Sequence, residues 1–148
     1  MFRWRNALTF TLFLGFVQSA GIFAVDMFQG TWTDKDQAYS YSLLAGHEFK
    51  YECQSCDYSR PAPNRSVKTE GAWNSAEGAC WAGDPKTDKK VALGNLLLYA
   101  DDVQCCMLAQ LLGNKLVLTE VWTKGSGTMA SICSNRVLTR QKVVPQAK

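Results

Sequence analysis

The residues of this chain with the clearest capacity for chemistry are six cysteines: Cys53, Cys56, Cys80, Cys105, Cys106 and Cys133. Thiols can be redox-active, ligate a metal or pair with one another, and spacing discriminates among these. "CQSC" (53–56) has the spacing of a redox motif or of half a zinc site. A redox pair normally opens a helix after a strand, whereas the loop-forming "DYSRPAPNRS" follows here. A zinc site needs a second pair of similar spacing or several histidines. The chain has one histidine, His47, and Cys105 and Cys106 are adjacent. An even count behind a leader favours three disulfides, in a connectivity that six cysteines leave open. On a strand, Cys105 and Cys106 project to opposite faces and so take different partners.

Catalytic constellations are thin. His47 falls in a turn, with no nucleophile paired to it in sequence. Asp101-Asp102 is a carboxylate pair, but neighbours on a strand diverge, and a turn is the ordinary home of Asp-Asp. No Gly-x-Ser-x-Gly and no phosphate-cradling glycine loop occurs. The chain therefore reads as a non-enzyme without a cofactor. Its five tryptophans and five tyrosines offer binding chemistry instead. Trp32, Phe49, Tyr99 and Trp122 are the candidate walls of an apolar cavity, set against the alternative that aromatic side chains simply fill the core. Glu120 shares a strand face with Leu118 and Trp122. Facing inward it would anchor a ligand or pair with a buried arginine; facing outward it would be solvated.

The N-terminus reads as an address. Arg3 and Arg5 precede the apolar run "ALTFTLFLGFV" (7–17), and small residues follow, which is the pattern of a secretory signal peptide. Cleavage is expected after residue 19, 20 or 21. The expected organisation is a signal peptide over 1–20, one domain over 21–140 and a flexible tail over 141–148. Without Arg3 and Arg5 the 16 basic residues become 14 against 13 acidic ones, a net charge of +1. That balance gives no footprint for nucleic acid or an anionic membrane surface. The expected location is extracellular, and Asn64-Arg65-Ser66 is a glycosylation sequon within the proline-containing loop "RPAPNRS".

The elements that must position these residues alternate with period two. "AYSYSLL" (38–44) puts Tyr39, Tyr41 and Leu43 on one face. "EFKYEC" (48–53) does the same with Phe49, Tyr51 and Cys53. "SVKTEGAW" (66–73) and "ACWA" (79–82) read as two strands separated by "NSAEG". "VALGNLLLY" (91–99), "KLVLTEVW" (115–122) and "ASICSNRVLT" (130–139) complete the set. Over 101–114 a helical stripe of Val103, Met107 and Leu111 competes with a strand leading into a Gly113-Asn114 turn, and the strand is preferred. The fold class that follows is all-β: an eight-stranded antiparallel up-and-down barrel stapled by disulfides.

"GTWTDKDQAYSYSLLAGHEF" resembles the opening of avidin-type barrels, and "KLVLTEVW" with the later "NRVLTR" is similar to their closing strands. The wider calycin group, lipocalins included, shares the Gly-x-Trp and a basic residue near its end. The resemblance implies that Arg136 or Arg140 packs over Trp32 and closes the barrel, and that Trp122 walls a ligand pocket. It also implies donors for a biotin urea at two positions occupied here by Asp34 and Ala38. An ionised carboxylate only accepts and alanine offers nothing, so biotin is not the expected ligand. Two functions are expected: a secreted protein holding a small apolar molecule, or an extracellular protein-interaction factor with a solid core and a working surface on loop 54–65.

Overall fold

The computed structural model of the chain describes residues 26–84, 86, 87 and 89–142. The leader expected over 1–20 and residues 143–148 of the expected tail lie outside the described residues. The strands are β1 (Gly30–Thr33), β2 (Tyr39–Leu43), β3 (Glu48–Cys53), β4 (Val67–Gly83), β5 (Lys90–Ala100), β6 (Val103–Leu112), β7 (Lys115–Lys124) and β8 (Arg136–Arg140). Each runs antiparallel to the next, and β8 returns to pair with β1, so the sheet closes on itself in chain order. This is the eight-stranded up-and-down barrel that the alternating pattern predicts.

The alternation sets what lies inside. On β3, Phe49, Tyr51 and Cys53 are buried while Glu48 and Lys50 are exposed. The outer face carries directly opposed charges, with Lys50 at 3.2 Å from Glu70 and Lys68 at 3.2 Å from Glu52. Such exposed pairs help to fix register and add little stability. Inside, Trp32, Phe49, Leu96, Met107, Leu116, Ile132 and Leu138 are all 0% exposed and belong to one contiguous cluster. A cavity large enough for a ligand would leave accessible area on its walls, and these side chains have none. The barrel is packed from end to end, as eight strands allow.

Two segments differ from the expectation. "NSAEG" does not end a strand: β4 runs unbroken from Val67 to Gly83, and its pairing with β5 slips between Ser75 and Cys80. Gly78, at φ 64°, absorbs the extra residues as a bulge that bends the strand instead of reversing it. Residues 130–135 are not strand either. Thr128–Cys133 form a 3-10 helix, and β8 starts only at Arg136. Here Ile132 and Cys133 are buried in an end plug, an arrangement that period-two counting cannot detect. Past β8, the Gln141 N–H donates to the Thr31 carbonyl (2.8 Å). The ambiguous stretch 101–114 contains strand β6, with Val103, Cys105, Met107 and Ala109 buried alternately and no helix.

Three disulfides staple the sheet: Cys53–Cys56, Cys80–Cys106 and Cys105–Cys133. Adjacent Cys105 and Cys106 do take different partners. Cys105 lies in the main core cluster, whereas Cys106 and Cys80 are buried outside it. Gly94 lets the distal part of the β4–β5 hairpin lie against β6. A Cβ there would stand 2.4 Å from Cys106 Sγ, 2.6 Å from Cys80 Sγ and 2.9 Å from the Met107 carbonyl oxygen. Gly94→Ala is therefore expected to lower the free energy of unfolding by about 1–3 kcal/mol, read by urea denaturation with the disulfides intact. An unchanged midpoint would mean that this packing is loose.

Candidate functional site

At the base of the barrel the ends of the chain meet as the two bookend motifs require. Trp32 is opposite Arg140 in the β1–β8 ladder. The guanidinium carbon of Arg140 lies 4.3 Å from the centre of the indole. Its Nη1 donates to the Gln29 carbonyl (3.2 Å) and its Nη2 to the Met27 carbonyl (3.0 Å). Trp32 Nε1 donates to the Phe28 carbonyl (2.8 Å). The arginine thus covers the ring and ties down the entering chain, a structural role that Arg140, not Arg136, performs.

The opposite end is the mouth. The 3-10 plug sits over it, pinned by Cys105–Cys133 and by the Tyr41 hydroxyl, which donates to the Ile132 carbonyl (2.9 Å). Tyr51 shares a hydrogen bond with the Ser131 hydroxyl (2.8 Å). Beside the plug is a recess of about 540 Å³, lined chiefly by Tyr39, Tyr58, Ser59, Ser131, Ser134 and Arg136. Arg136 stacks on Tyr39, its guanidinium carbon 3.4 Å from the ring centre, and its Nη2 donates to the Ser131 carbonyl (3.3 Å). Its Nε is buried without a hydrogen-bond partner. Burial opposes the charge of Arg136, and the oxygens of Tyr41, Tyr39 and Tyr51 favour it.

The four expected wall residues do not share a cavity. Trp32 is at the base and Phe49 in the packed core. Tyr99 is 37% exposed and points outward between buried Leu98 and Ala100. Trp122 stands outside the core cluster and donates Nε1–H to the Trp81 carbonyl (3.1 Å). Glu120 is exposed, its carboxylate accepting from the Thr123 hydroxyl. His47 is exposed and bonds the Trp73 carbonyl (3.0 Å). Asp101 accepts from Thr69 (3.2 Å) in the β5–β6 turn. Asn64 is exposed in the loop that follows Cys56.

Tyr39, Tyr41, Tyr51 and Ser131 were not among the candidate site residues. The alternation that places the tyrosines on inward faces was visible, but their convergence on one arginine depends on closure and on the plug. Among the described residues no group of acidic, histidine or cysteine side chains could hold a metal ion. No helix among them is long and apolar enough to cross a membrane. No protein-family model, curated protein or solved structure matches the chain. What stands is a class: an antiparallel eight-stranded barrel with a tryptophan–arginine base, consistent with a calycin-like fold at that level.

Two measurements follow. Arg140→Met removes the ring stack and two carbonyl bonds, and is expected to lower stability by about 2–4 kcal/mol with β1 first to lose amide protection. Burial, then its neighbour Tyr51, raises the Tyr41 phenol above its ordinary value, and burial raises Tyr51 as well. Both stay protonated in the fold after the unfolded chain has begun to ionise near pH 10. The unfolded state then binds fewer protons, so stability falls as pH rises above about 10. Urea titrations from pH 8 to 11 should show that fall, and Tyr41→Phe should flatten it.

Proposed function

We propose that this chain is a secreted, non-enzymatic binding protein of calycin-like architecture that holds a small, largely apolar ligand at its mouth. The observation that carries the proposal is the recess of about 540 Å³ flanked by Tyr39 and Tyr58. Its size falls in the usual range for small-molecule sites, roughly 300–1,000 Å³. Tyrosine supplies apolar area with a polar tip, and Ser134 beside it supplies an orienting hydroxyl. With the interior packed, the site in this reading lies beside the plug and not within the barrel. The closure of β1 on β8 supports the calycin-like reading, with biotin disfavoured as the ligand. Asp34 Oδ1 already accepts the Tyr39 N–H (2.9 Å), a turn contact with no donor to offer a urea oxygen.

A second reading has its own support. Tyr58 is 79% exposed on the loop braced by Cys53–Cys56, with the Arg65 guanidinium carbon 5.8 Å from its ring centre. An exposed aromatic–arginine pair is the composition of a protein-binding hot spot. The experiment that separates the two is native mass spectrometry of protein purified from its own source, alongside cross-linking in the same fluid. The carrier reading expects a small adduct that Ser59→Trp displaces. The interaction reading expects a cross-linked partner that Tyr58→Ala releases. A chain that is always empty, with no change in intrinsic fluorescence across fatty acids, aryl compounds and sterols, would remove the carrier reading.

A further inference from the structure

We propose that the recess selects organic acids, seating their carboxylate on Arg136 and their apolar body against Tyr39 and Tyr58. The inference deepens the carrier reading and rests on it. The ion pairs among the described residues are Lys50–Glu70, Arg60–Asp57 and Lys68–Glu52, and none involves Arg136. Among the described residues, the groups that contact the guanidinium or act on its charge are neutral: the Tyr39 ring, the Tyr41 and Tyr51 phenols and the Ser131 carbonyl. Arg60, on the nearby loop, is already matched by Asp57 at 3.0 Å. Arg136 is the one formal charge among the residues lining the recess.

A half-buried cation without a counter-charge is costly, and proteins normally pair it with an anion. Here the surroundings prepare the pairing without completing it. Tyr41 commits its proton to the Ile132 carbonyl, which turns its oxygen's lone pairs toward acceptance from Arg136. The Tyr39 face and the Ser131 carbonyl hold the guanidinium plane in place. A planar fork fixed in this way matches a carboxylate, and the hydroxyls of Ser134 and Tyr58 can donate to the same oxygens, while that of Ser59 is committed to Asp57. A stack serving structure alone would not require the arginine to border a hydroxyl-lined recess. At the base, Arg140 shows the structural alternative, with its two Nη groups spent on backbone carbonyls.

The test compares naphthalene-2-carboxylate with naphthalene-2-carboxamide by calorimetry on the intact, disulfide-bonded protein. The acid is expected to bind roughly tenfold or more tightly than the amide, an advantage that shrinks as salt rises. Arg136→Met should abolish the difference, and Arg136→Lys should restore part of it. Should Arg136→Met fail to fold, the shift of the wild-type Arg136 Nη–H resonances on adding acid, and not on adding amide, reads the same contact. Equal binding of acid and amide to the wild-type protein overturns the inference and leaves the carrier reading intact. If neither probe binds, nor any compound of the wider panel, both fall together.

Discussion

The contact on which the rest of the structure depends is the closure of β1 on β8. β1 has four residues and pairs with β8 through Trp32–Arg140 and Thr33–Thr139. So short a ladder is a weak seam, and the side chains reinforce it. Arg140 covers the indole and binds two carbonyls of the segment entering β1, while Gln141 continues the pairing to Thr31. Opening the seam would expose two strand edges and the tryptophan together.

β8 also joins the two ends of the molecule. Its face toward the core carries Arg136, Leu138 and Arg140 at period two, with Leu138, between the two arginines in sequence, wholly buried. Four residues apart, the same side chain meets two environments. At the base Arg140 finds an indole and backbone carbonyls, which satisfy it. At the mouth Arg136 finds a phenol ring and a plug, and part of its hydrogen-bonding capacity remains unused. Strand geometry, rather than local sequence, separates the two roles.

Much of this was legible in the sequence. Alternation in "AYSYSLL" and "EFKYEC" located β2 and β3 and their inward aromatics, because a half-buried strand writes its pleat directly into residue type. The resemblance carried by Gly-x-Trp and the terminal arginines implied the seam, with Arg136 and Arg140 both open for it. The mouth was not legible, since it is built by a 3-10 segment whose buried Ile132 and Cys133 look like strand residues. Nor was the bend in β4, because a glycine at positive φ serves a bulge as readily as a turn. The apolar-cavity expectation for Trp32, Phe49, Tyr99 and Trp122 counted aromatics without their faces. Tyr99 illustrates the gap: one residue along from Leu98, it points to solvent.

The disulfides sit where the sheet alone provides least restraint. Cys53–Cys56 closes the start of the long loop between β3 and β4, Cys80–Cys106 holds the bent distal hairpin, and Cys105–Cys133 anchors the plug. None of them crosses the β1–β8 seam, which the Trp32–Arg140 contact secures instead. Two of the three therefore border the mouth, and through the loop and the plug they fix both walls of the recess beside Arg136. Covalent restraint of those walls lowers the ordering cost that a ligand would otherwise meet on binding. A barrel with a solid interior can in this way still present a preformed site, because its rigidity is extended by cross-links to the irregular chain at its rim.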